Sequence, residues 1–251
     1  MEGTVTTDLH NGLATITFFH PSHNSLPGYL LAELTRQIKV AGQSDDVKLI
    51  VLKSAGDRTF CAGASFDELM TITNETDGKK FFLGFANVIN AIRTCPKMVI
   101  GRIHGKAIGG GVGIAGAVDY CMATQYATIK LSELALGIGP FVVGPAIERK
   151  MGTSAFSQLS INATEWQTAY WAKEKGLYHE VFETTEQLDA YIVHFIEKLL
   201  ASSQSALTSL KKILWHETDH WDQLLDDRAA ISGRLVTTSA AQSAIKNARL
   251  A

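Results

Sequence analysis

Scarcities narrow this chain before any motif does. Its 251 residues hold three cysteines, Cys61, Cys95 and Cys121, odd in number and at no metal-ligand spacing. Neither a disulfide framework nor a metal site is expected, and a reducing compartment suits such usage. Five prolines leave no proline-rich linker. The formal net charge is only −2, and the 23 lysines and arginines are scattered rather than striped. Electrostatics therefore give no reason to expect nucleic acid or an anionic membrane as partner. No apolar run approaches the ~20 residues of a membrane span. Met1 to Asp8 is polar and acidic, without an apolar signal core, so the expectation is a cytoplasmic globular protein.

What is present is ordinary for a folded domain: 46% hydrophobic and 19% charged residues, enough to bury one sizeable core. Leu13 to Phe19 alternates apolar residues with threonine and reads as a strand. After a turn at Asn24 to Pro27, Leu30, Leu31, Leu34, Ile38 and Ala41 recur at helical spacing. Val47 to Leu52 reads as a buried strand, Phe81 to Ile92 as a helix ending before Cys95-Pro96, and Met98 to His104 as another strand. Strands alternating with helices over residues 1–185 argue for an α/β core of right-handed crossover units. Residues 186–251 read as a helical region, with Leu188, Ile192, Phe195, Ile196, Leu199, Leu207, Leu210 and Leu214 at helical periods. That region must fold back on the core or pack on a neighbouring subunit.

Two glycine-rich turns carry the chemical signal. One is Phe60-Cys61-Ala62-Gly63-Ala64-Ser65-Phe66, the other Gly105-Lys106-Ala107-Ile108-Gly109-Gly110-Gly111. Each joins a strand-like run to a helix-like run, where backbone N–H groups point outward at the positive end of a helix. Two such amides aimed at one point stabilise an oxyanion. Neither turn is a P-loop or a GxGxxG dinucleotide turn. Alone, either would be explained by tight packing of helix on strand.

Phe60 to Ala64, Gly109 to Gly111, then Ser132-Glu133 followed by Leu136-Gly137 and Pro140, resemble in order the enoyl-CoA hydratase/isomerase (crotonase) superfamily. The resemblance takes in Asn24-Ser25-Leu26, Asp119 and Ala172 to Leu177, and so spans nearly the whole chain. It implies an α/β spiral of ββα units with a C-terminal helical region used in trimerisation, giving a homotrimer or a dimer of trimers. It implies an acyl-CoA thioester substrate and no separate cofactor, coenzyme A being part of the substrate. The N–H groups of Ala64 and Gly110 match the family's oxyanion hole, and the backbone from Ala62 through Gly63 to Ala64 would face the adenine. Phe66, Gly109, Gly113 and Phe141 complete the expected substrate contacts.

The carboxylates then separate the reactions. The family's hydratases hold water between two glutamates; the second matches Glu133, but the first falls on Gly113. Phe141 stands where those hydratases commonly carry glycine, and a dienoyl-CoA isomerase would carry acids at both positions. One glutamate with an oxyanion hole resembles a Δ3,Δ2-enoyl-CoA isomerase. Hydration or dehydration of a short or branched enoyl-CoA, other enolate chemistry such as decarboxylation or thioester hydrolysis, and a non-catalytic CoA-binding protein are the alternatives. Asp67 and Glu68 suit a helix N-terminus but are also candidates to replace the missing acid. His23 and His104 read as structural or solvent-facing, and Lys211, Lys212 and Lys246 are candidates for the CoA phosphates.

Overall fold

The structure, a computed structural model, describes residues 2–250. Its first layer is a six-stranded sheet ordered β1 (Thr4–His10), β2 (Leu13–Phe19), β3 (Leu49–Ser54), β5 (Met98–Ile103), β7 (Tyr120–Thr124) and β9 (Glu180–Phe182). β1 and β2 form an antiparallel hairpin, and every later pairing is parallel. A second, three-stranded parallel sheet runs β4 (Thr59–Cys61), β6 (Lys106–Ile108), β8 (Ile129–Lys130). After the β1–β2 hairpin, which lies wholly in the large sheet, each successive turn of the chain gives one strand to each sheet before a helix follows. The helices are α1 (Gly28–Gln43), α2 (Phe66–Leu69) with α3 (Glu75–Thr94), α4 (Gly110–Ala117) and α5 (Gly144–Ile161). This is the expected α/β spiral of ββα units.

The periodic apolar residues do what their spacing demands. Leu30, Leu31, Leu34 and Ile38 are essentially fully buried along one face of α1, each contributing about 1.5–3 kcal/mol. After α6 (Ala169–Glu174) and β9, α7 (Thr185–Leu200), α8 (Gln204–Leu214), α9 (Trp221–Val236) and α10 (Ser239–Leu250) complete the chain. The helical region folds back on its own core. α7 covers the far face of the large sheet, burying Leu188, Ile192 and Ile196 and packing Phe195 and Leu199 beside them. Of its long apolar side chains, Leu210, Ile213 and Leu214 of α8 stay 43–66% exposed.

α9 crosses α3 at a point of backbone contact. A Cβ on Gly78 would stand 2.6 Å from the Gly233 carbonyl oxygen, and one on Gly233 only 2.3 Å from Lys79 N. Arg93 to Asp222 (2.8 Å) and Lys79 to Asp226 (2.7 Å) clip the same two helices together. α8 is pinned elsewhere: Lys211 Nζ, 3% exposed, donates to Asp119 Oδ2 and to the carbonyls of Ile92 and Lys97, each at 2.8 Å. Lys211 is thus a buried anchor and not a phosphate ligand, because all three of its donors are used inside the protein. No helix among the described residues is long and apolar enough to cross a membrane.

Candidate active site

The three parallel strands of the small sheet set the site, since their C-terminal ends lie side by side. β4 runs into Ala62 to Ala64, β6 into Gly109-Gly110, and β8 into Ser132-Glu133. Crevices at the C-terminal ends of parallel strands are where open α/β folds bind ligands.

The first turn is held by Asn24. Its side chain donates to the carbonyls of Ala55 (2.7 Å) and Thr59 (2.8 Å) and accepts from His20 N (2.9 Å). That fixes the preceding loop against β4, so Leu26 N reaches the Gly63 carbonyl at 2.8 Å. Ser65 then caps α2, accepting from Glu68 N, and the Ala64 N–H is left without a protein acceptor among the described residues. The Gly110 N–H is likewise free, at the first residue of α4. The two turns touch, since a Cβ on Gly63 would lie 3.4 Å from Gly110 N.

The triple glycine is explained by what faces it. A Cβ on Gly109, whose φ is +51°, would stand 2.8 Å from Glu133 Oε1. One on Gly110 would strike the Phe85 ring, and one on Gly111 would lie 2.6 Å from the Cys61 carbonyl oxygen. Glycine there lets a carboxylate, an aromatic ring and a strand close on one turn.

Glu133 opens a short 3-10 helix (Leu134–Leu136), its carbonyl accepting from Leu136 N (3.1 Å) and Ile138 N (3.0 Å). The residue is half-buried, but its Oε2 is enclosed and has no hydrogen-bond partner among the described residues. Burial pushes its carboxyl from 4.5 up to about 7, against a smaller opposing pull from its own backbone N–H. Desolvation disfavours the charged form, and a base near neutrality is the form best suited to take and return a proton at pH 7.

Of the residues expected at the site, Ala62, Gly63, Ala64, Phe66, Gly109, Gly110, Glu133 and Phe141 all line one pocket, about 570 Å³ of empty space including its mouth. Gly113 does not. A Cβ there would stand 2.5 Å from Val143 Cγ1, so Val143, itself a pocket residue, fills the space a side chain at position 113 would enter. Asp67 and Glu68 are also absent from the pocket wall. Glu68 accepts from Gly28 N at 2.7 Å, capping α1 in place of Pro27, and Asp67 pairs with Arg249.

His104 is 3% exposed, with neither ring nitrogen partnered, and burial lowers its pKa to about 4; it does not line the pocket. An outer groove adjoins the pocket at Ala62 and Ala64, and its lining includes His23, Lys130 and Arg249. Lys212 and Lys246 are not in that groove. Sequence reasoning missed Phe82, Phe85, Val143 and Ser232, which close the pocket from α3, the residue preceding α5, and α9.

A pocket with two unpaired N–H donors at one end and one desolvated carboxyl beside them is equipped to polarise a carbonyl and move a proton next to it. The fold matches an enoyl-CoA hydratase from Bacillus halodurans with a TM-score of 0.89, 21% identity and 97% of this chain covered against 99% of that one. Among relatives in sequence, a peroxisomal Δ(3,5)-Δ(2,4)-dienoyl-CoA isomerase of Arabidopsis thaliana is 29% identical over 77% of this chain and 74% of its own. The enoyl-CoA hydratase ACTT6 of Alternaria alternata is 32% identical over 80% and 66%. The family model described as enoyl-CoA hydratase/isomerase matches residues 8–249, and the chain belongs to that family.

Proposed function

We propose that the protein is a 3-enoyl-CoA isomerase that shifts a double bond from C3 to C2 of an acyl thioester, with Glu133 as its single base. The observation that carries this reading is that Glu133 is the sole carboxylate lining the pocket among the described residues. The thioester oxygen accepts from the N–H groups of Ala64 and Gly110, which offset the charge of the enolate as it forms. Glu133 takes a proton from C2, where loss is eased by both the thioester and the adjoining double bond. The electrons spread over a dienolate. The same carboxyl returns the proton at C4, leaving C2=C3 conjugated with the carbonyl; no atom is gained or lost and no water enters.

Hydration asks for a second acid or base to hold water, worth ~10²–10⁴ in rate. Val143 occupies the space beside Gly113, and Phe141 lines the pocket where it would narrow room for that water. A pKa of about 7 leaves half of Glu133 ionised at neutrality, so kcat/KM is expected to rise with pH through about 7. The test is ultraviolet absorbance with matched 3-enoyl and 2-enoyl thioesters. Conjugation appearing from the 3-enoyl substrate supports the isomerase; faster loss of conjugation from the 2-enoyl substrate overturns it in favour of a hydratase. The exposed stripe of Leu210, Ile213 and Leu214 supports assembly into a trimer or a dimer of trimers. A monomer-sized particle in light scattering at micromolar concentration overturns that part.

A further inference from the structure

Two serine side chains of the pocket, Ser132 and Ser232, have no part in the chemistry just described, and Ser232 is the more deeply buried. Ser232, from α9, lines the pocket and is 1% exposed. A helical serine ordinarily gives its hydroxyl to the carbonyl one turn back, as Ser160 does to Phe156 at 2.7 Å. The Ser232 hydroxyl has no such bond to any protein atom among the described residues. Nor is its oxygen sealed away in the core, as Ser54 Oγ is. The backbone contact of Gly233 with α3 and the Arg93–Asp222 and Lys79–Asp226 pairs fix the rotation of α9, so the position of Ser232 at the wall is set by the fold. Most other side chains lining the pocket are apolar, among them Leu69, Phe82, Phe85, Val142 and Val143.

An unpartnered hydroxyl in such a wall costs free energy unless a ligand completes it. The charge of that ligand group is constrained as well. Among the described residues the one charged residue lining the pocket is Glu133, and Arg228, one turn before Ser232, does not line it but donates to the Phe141 carbonyl at 3.3 Å. A carboxylate at the far end of an acyl chain would meet no cation. A neutral oxygen would meet a donor of matching size.

We propose that Ser232 is a specificity-determining contact, and that the pocket takes a short acyl thioester whose chain carries a neutral oxygen, a hydroxyl or a ketone, remote from the thioester. The proposal rests on the acyl-CoA reading of the site and not on which reaction follows. The test is calorimetric binding of saturated thioesters to wild type and Ser232→Ala. Heptanoyl-CoA and 6-hydroxyhexanoyl-CoA differ only by methyl against hydroxyl at the chain end, and adipyl-CoA places a carboxylate there. Wild type is expected to bind the hydroxylated thioester about 3- to 10-fold more tightly than heptanoyl-CoA, and adipyl-CoA most weakly. Ser232→Ala should bind heptanoyl-CoA at least as tightly as wild type does and reverse the preference, since the ligand hydroxyl is then buried unpaired. Equal affinities in wild type, or a preference that survives in Ser232→Ala, overturn the proposal alone. If no thioester binds wild type, the acyl-CoA reading itself fails and this proposal with it.

Discussion

Two carboxylates are shut inside this protein under opposite terms. The Asp119 side chain is 2% exposed and fully engaged: Oδ2 accepts from Lys211 Nζ (2.8 Å) and Val99 N (2.7 Å), and Oδ1 from Trp215 Nε1 (2.7 Å). Glu133 is enclosed too, but its Oε2 accepts from no protein group among the described residues. Burial of a charge is tolerable when donors replace the lost water and costly when they do not. The first carboxylate joins β5, β7 and α8 into one body. The second is kept basic by its isolation, at the expense of stability. Two buried carboxylates of the same chemistry are thus told apart by their partners, not by their burial.

The contrast breaks most visibly at Asp119. Asp119→Asn leaves the Lys211 ammonium buried without its counter-charge, and removing one member of a buried pair costs about 3–5 kcal/mol. Denaturant unfolding is expected to show that loss, while the protein that remains folded keeps its activity. A variant of wild-type stability would mean that the Lys211 bonds to the Ile92 and Lys97 carbonyls suffice.

Glu133→Gln should do the reverse. It keeps the shape of the side chain and removes its basicity, so turnover on the best thioester substrate should fall by at least ~10² with binding retained. Near-full activity would remove Glu133 from the mechanism.

The same variant sharpens the comparison through pH. The folded-state pKa of Glu133 is raised from 4.5 to about 7. Between those values the folded protein holds a proton that the unfolded chain has lost, so this group lowers stability as pH rises through that window. At 1.36 kcal/mol per pH unit, the destabilisation reaches roughly 3 kcal/mol above pH 7. Glu133→Gln should therefore be stabilised over wild type at pH 8, and the gain should vanish at pH 4.5. A gain independent of pH would mean that packing, not ionisation, is responsible.

The smallest effect is expected at Gly113. Gly113→Glu should cost about 1–3 kcal/mol through overpacking against Val143 and give no hydration of a 2-enoyl thioester. Val143→Ala added to it opens the space for the new carboxylate, and hydratase activity should then appear. If the single variant already hydrates, Val143 is not the obstacle.

How much of this was readable in advance varies by element. α1, β2 and the helical run from Thr185 fall where the apolar periods put them, because one face of each is buried, whereas β5 is marked by an apolar run because it is buried on both faces. β1 was not legible: its threonines are exposed on both faces, so no alternation marks it. The available signal was Asn11-Gly12, whose φ values of +48° and +83° make the tight turn between β1 and β2. α3 begins six residues before its apolar run because Asn74 caps it, accepting from Asp77 N. The helix after Ala64 is a single turn, since Ser65 caps it and Glu68 is drawn off to Gly28.

The sequence by itself determined the family, the two glycine turns and Glu133, because those are local motifs in which residue type and backbone geometry are tied together. Only the tertiary structure decided what stands opposite them. Val143 against Gly113, Ser232 at the pocket wall and Lys211 on Asp119 join positions 30 to about 120 residues apart along the chain, and none belongs to a motif. The electrostatic state of Glu133 belongs with these, since a carboxyl acquires its pKa from the water and donors the fold removes or supplies, and its neighbours in sequence do not state them.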